Sequence, residues 1–119
     1  MFRQNLLLCC GTLGGICNVL GEREHSRKYF LQAVSIAEAV DREERTVDTL
    51  DDLAASYANL APLMEDEFSK KMYFQRAYDI YTQLRKEDPH NPRYQEALAA
   101  IRQYLNPSPR SRFRKFFPH

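Results

Sequence analysis

The sequence has no tryptophan, only four glycines and six prolines, and no stretch in which apolar and polar residues alternate over the length of a strand. So little Gly and Pro excludes a collagen-like repeat or a low-complexity linker. Without two-residue alternation there is no signal for a sheet. Wholesale disorder is excluded from the other side: seven Tyr, seven Phe and an apolar share of 44% are enough to pack a core. A chain of 119 residues suits one domain. The most apolar stretch, LLLCCGTLGGICNVL at residues 6–20, is too short to span a bilayer, which takes about 20 residues. It follows a single Arg, and neither Leu8 nor Ile16 is the small residue expected before a lipidated cysteine, so it reads poorly as a targeting segment.

Signatures of chemistry are also missing. Cys9, Cys10 and Cys17 include no C-x-x-C pair, and His25, His90 and His119 are scattered, so no metal site is expected. On a helix Cys10 and Cys17 share a face but stand about 10 Å apart along it, too far for a disulfide. Reduced cysteines used as small apolar residues fit a cytoplasmic protein. No phosphate-binding loop, H-E-x-x-H or G-x-S-x-G occurs, and LGGIC follows no strand and has no Lys. Asp48, Asp51 and Asp52 read as a solvated helix face. Neither an enzyme nor a cofactor is expected. The net charge of +1 names no partner, but its distribution is uneven. All 16 acids and 13 of the 17 basic residues lie in residues 1–105, a balance of −3, whereas residues 106–119 carry Arg110, Arg112, Arg114 and Lys115 without an acid. The segment RSRFRKFF interleaves four cations with three Phe, a composition able to meet an acidic membrane surface, nucleic acid, a partner or the acidic body itself.

What is present is helical periodicity throughout. Five helices are predicted: Phe2 to Leu20, ended by Gly21; Glu22 to about Val40; Thr46 to Leu60, capped by Thr46 or Thr49; about Glu65 to Lys86; and one from Asn91-Pro92 to Leu105. The polar cluster DREER at 41–45 holds no Gly or Pro, so the break there must be short or gentle. Pro62 disrupts or kinks the end of the third helix. YFLQAVSIAEAV at 29–40 matches YFQRAYDIYTQL at 73–84, and without a gap the correspondence extends back through Leu13-Gly14 on Tyr57-Ala58. Small Gly14 and Ala58 in one helix, and Ala33 and Ala77 in the next, let paired helices approach closely, with Phe30 and Phe74 filling the space beside them.

Leu13-Gly14, Gly21, Ser26, Phe30 and Ala33, with Tyr57, Ala58, Phe74 and Ala77 in the second copy, resemble the tetratricopeptide repeat. Glu65 and Lys70 depart from that pattern, as does the missing final Pro, and the spacing is longer than the family's 34 residues. The resemblance implies an all-α, right-handed alpha-alpha superhelix over residues 1–105: units at about 7–40 and 51–84, a capping helix at 91–105, and a basic tail at 106–119. It further implies a concave groove lined by the first helix of each pair, with Gly11, Gly15 and Asn18 from one unit and Asp52, Ala55 and Asn59 from the other. The expected function is a non-catalytic scaffold that binds a protein or peptide through Asn18, Asp52, Ala55 and Asn59. Glycines at positions 11 and 15 remove the carboxylate clamp of the family's chaperone-binding members. The alternative is a self-associating subunit that uses the apolar N-terminal edge, where Leu6, Leu7 and Leu8 have no helix before them, and a third reading is a regulator that binds a small ligand.

Overall fold

The computed structural model describes residues 2–106, except the side chains of Phe2 and Gln4, and is all-α: among the described residues there is no strand. The helices are α1 (Phe2–Val19), α2 (Arg23–Glu43), α3 (Val47–Leu60), α4 (Glu67–Glu87) and α5 (Pro92–Leu105), with one 3-10 turn at Ala61–Leu63. Each packs on its neighbours in sequence: α2 on α1 and α3, α4 on α3 and α5.

Local chemistry explains each boundary. Gly21 takes φ +80°, the left-handed conformation a glycine adopts cheaply, and ends α1. The amide of Glu22 donates to the carbonyl of Cys17 at 2.8 Å and that of Gly21 to Asn18 at 3.2 Å, so two terminal carbonyls of α1 are satisfied. The break after α2 uses neither Gly nor Pro. Helix α2 runs three residues past its expected end, to Glu43, and buried Asp41 organises the turn into α3. Arg45 folds back onto the Oδ2 of Asp41 at 2.9 and 3.1 Å, while the Thr49 hydroxyl donates to its Oδ1 at 2.9 Å. Thr46 and Thr49 cap reciprocally: the Thr49 amide donates to Thr46 Oγ1 and the Thr46 amide to Thr49 Oγ1. Pro62 converts the end of α3 to the 3-10 turn. Helix α4 starts two residues later than predicted because Asp66 is its cap. Its carboxylate accepts from the Ser69 amide at 2.8 Å, which holds the Asp66 carboxyl below its ordinary range. Asn91 caps α5 ahead of Pro92.

One continuous core runs from α2 to α5, through Phe30, Ala37, Leu53, Leu60, Phe74, Leu84, Leu98 and Ile101. Helix α1 joins through Cys10 and Gly14, which are buried, and Leu7, which is half-buried. At Gly14 the contact is as close as the chain permits: an added Cβ would lie 2.7 Å from Cε1 of Phe30. Ser26, fully buried, donates from its hydroxyl to the Gly14 carbonyl at 2.7 Å. Ala33 and Ala77 are buried. In the second copy Ala58 is half-buried, and Phe74 stacks on Tyr104 of α5 with ring centroids 4.4 Å apart. Tyr57 is buried against Tyr73 and donates to Glu38 at 2.8 Å; burial first, then Glu38, pushes its phenol up to about 12. Its counterpart Leu13 is 41% exposed, because α1 has no neighbour on that side among the described residues.

Candidate functional groove

Helices α1, α3 and α5 run in the same direction. Leu7 and Leu8 of α1 face Asp48, Asp51 and Asp52 near the start of α3, and Gly11 and Thr12 face its later residues Ala55 and Asn59. At the start of α5, Arg93 pairs with Asp51 at 2.9 Å, while at its end Tyr104 borders Pro62, just beyond α3. Three parallel helices therefore line one side of the molecule.

Between α1 and α3 lies a groove with a cavity of about 300 Å³. Phe30 and Ala33 of α2 form its floor, Leu7, Leu8, Gly11 and Thr12 one wall, and Asp52, Ala55, Ser56 and Asn59 the other. Three of the four expected partner-binding residues, Asp52, Ala55 and Asn59, thus share one depression. Gly11 opens it: nothing stands within 4 Å of where its Cβ would be. Asn18, exposed near the end of α1, does not line it. Arg110, Arg112, Arg114 and Lys115 lie outside the described residues.

A second depression of about 380 Å³ continues from the first past Leu7 and Leu8, lined by Asp48, Asp51, Asp52 and Arg93. Here the solvated-face reading of the three acids holds for two and fails for Asp51. Asp48 and Asp52 are exposed, but Asp51 is only 9% exposed. Its Oδ2 pairs with Arg93, while its Oδ1 is buried and has no hydrogen-bond partner. Burial, offset by Arg93 and reinforced by Asp48, raises the Asp51 carboxyl. Burial raises Asp52 as well, helped by the charges of Asp51 and Asp48. Raised carboxyls oppose folding when ionised; that opposition is present at neutral pH and disappears as pH falls through their raised range.

Sequence reasoning missed Leu7, Leu8, Thr12, Ser56 and Arg93 as groove residues. For Arg93 no signal existed, since its partner is 42 positions away and on another helix. Asp51 carried one: it follows Leu50 and falls three residues before Ala54, at the edge of the buried stripe of α3.

No family model, curated protein or solved structure matches this chain. Its function is therefore read from its own geometry. Among the described residues, no helix is long and apolar enough to cross a membrane, and no group of three His, Cys, Asp or Glu is placed to hold a metal ion.

Proposed function

We infer that this chain is a non-catalytic scaffold of the tetratricopeptide kind, a right-handed stack of two helix pairs and a capping helix, that holds a peptide or protein partner in the cytoplasm. One observation carries the reading: the α1–α3 groove joins an apolar floor, Phe30 and Ala33, to a polar rim, Asp52 and Asn59. Such a surface takes an extended segment. The floor accepts apolar side chains, and the amide of Asn59 offers both a donor and an acceptor to a partner's backbone. Its wall helices belong to different helix pairs, so the groove exists only in the folded stack. The test is capture from a lysate followed by remeasurement with the purified partner. Asp52→Lys and Asn59→Ala should each weaken capture, about tenfold for a loss near 1.4 kcal/mol, with the helical CD signal unchanged. Unaltered capture moves the site elsewhere.

A second reading has its own observation. Leu6, Cys9, Leu13 and Ile16 on α1, and Leu20 just past its end, are all exposed and recur at alternating spacings of three and four, the repeat of a coiled-coil seam. Leu20, at 72% exposure, shows how little covers this stripe. Pairing of two copies through α1 would cover it. In light scattering over a concentration series the chain should then gain mass, and Ile16→Glu should hold it monomeric. A wild-type chain that stays monomeric at every concentration ends this reading.

A further inference from the structure

The acidic end of the groove carries more negative than positive charge. Three carboxylates converge there against a single guanidinium, and one buried carboxylate oxygen, Oδ1 of Asp51, has no donor. A buried acceptor left unpaired is costly, and native structures rarely tolerate one without a ligand, ion or water to meet it. A group that donates hydrogen bonds and carries positive charge would suit both the unpaired oxygen and the excess of acids. Because no set of acids there has the geometry of a metal site, an ammonium or a guanidinium fits best. Leu7 and Leu8 line both depressions, so the occupant must also present apolar surface within a few residues of its cation.

This chain contains one segment of that chemistry. Residues 110–117, RSRFRKFF, set Arg110, Arg112, Arg114 and Lys115 among Phe113, Phe116 and Phe117. We propose that this segment docks in cis along the groove, with its cations at Asp48, Asp51 and Asp52 and its phenylalanines toward the apolar wall, so that it competes with a partner for the same site. The inference rests on the groove-binding reading and adds a regulator to it.

Distance permits the docking. From the start of α5, where Arg93 meets Asp51, to its end is about 18 Å at 1.5 Å per residue. An extended chain covers about 3.3–3.6 Å per residue, so the nine positions from Asn106 to Lys115 span up to about 30 Å. Charge sets the destination. The surface nearest Asn106 is basic on balance, with Lys71 and Arg76 beside Leu105 and Asn106, while beside Tyr104 Lys70 is paired with Glu67. It repels the segment, whereas the acidic end of the groove attracts it. A short tether also holds the segment at an effective concentration of order millimolar, so modest contacts suffice.

The sequence supplies its own reporter site, because it has no tryptophan: Phe116→Trp in the full chain gives a single tryptophan, which can be excited apart from the seven tyrosines. Docking predicts blue-shifted emission and several-fold weaker acrylamide quenching than in a free peptide of residues 107–119 with the same substitution. Asp52→Lys should restore the free-peptide values, and so should raising the salt to about 1 M, where the screening length falls to about 3 Å. Asp52→Asn, which removes the charge but keeps the shape, should shift them in the same direction, and an unchanged far-UV CD signal shows that each variant is folded. A tryptophan quenched as readily as in the free peptide overturns the proposal, as does protection that neither the Asp52 variants nor salt reduces. If the reporter fails while Asp52→Lys still weakens partner capture, only the cis docking falls. If the reporter responds while capture is unaffected, it is the partner site that must be moved.

Discussion

Gly14→Val should destabilise the fold by about 1–3 kcal/mol, while Gly15→Ala, one residue away in the same helix, should stabilise it by roughly 0.5–1 kcal/mol. The two glycines are equally unfavourable as helix formers, each costing about 1 kcal/mol relative to Ala. They differ in what lies above them. A Cβ on Gly15 meets nothing within 4 Å, so the substitution keeps only the gain in helix propensity. A Cβ on Gly14 would lie 2.7 to 3.0 Å from three atoms of the Phe30 ring. That ring is 6% exposed and forms part of the core, so it has little room to turn aside. A β-branched side chain adds two more carbons to the collision. The cause can be isolated in a double-mutant cycle measured by urea denaturation. In a Phe30→Leu background, itself destabilised by the cavity, the extra cost of Gly14→Val should shrink, with a coupling of about 0.5–3 kcal/mol. Strictly additive effects would mean that the α1–α2 approach is not governed by this contact.

The same contact shows what the sequence made legible. Gly14 and Phe30 could be paired in advance because small and large residues recur in register 44 positions later, at Ala58 and Phe74. The five helices were readable because capping residues stand where they end: Gly21, Thr46, Asn91 and Pro92 each act through a neighbour within a few positions. Two features were not readable. Helix α2 ends through Asp41, whose partners Arg45 and Thr49 could be recognised as such only once the turn had formed. The acid cluster on α3 looked solvated, since its spacing shows charge but not what packs over it. Asp51 is buried, and Arg93 from α5 partners only one of its two oxygens. Functional or strained positions are where an otherwise consistent sequence breaks a local rule. The groove residues Asp52, Ala55 and Asn59 came from repeat register, which fixes a residue's face on its helix. Asn18 sits on α1 beyond the stretch that α3 opposes, and register alone does not say where a groove stops.

Leu60→Ala should unfold the molecule as a whole, at a cost of about 2–5 kcal/mol, whereas Ile101→Ala should release α5 and leave the rest folded. Both side chains are buried, at 0% and 4% exposure, so burial alone predicts similar losses. Topology separates them. Leu60 ends α3, the central helix, which packs on α2 and α4 and on the 3-10 turn between itself and α4. Removing its isopropyl group weakens several interfaces at once. Ile101 lies on α5, whose main support is α4. In a chain of helices that contact mainly their neighbours, stability is approximately a sum of each unit's own term and its interface terms, so a weakened end can open without the centre. Amide hydrogen exchange distinguishes the outcomes. In Leu60→Ala, protection should fall together in α2, α3 and α4. In Ile101→Ala it should fall in α5 and stay near wild type in α2 and α3. Loss of protection throughout the Ile101 variant would show instead that the five helices unfold as one unit, and that Asp51–Arg93 and Phe74–Tyr104 bind α5 to the stack more firmly than its position at the end implies.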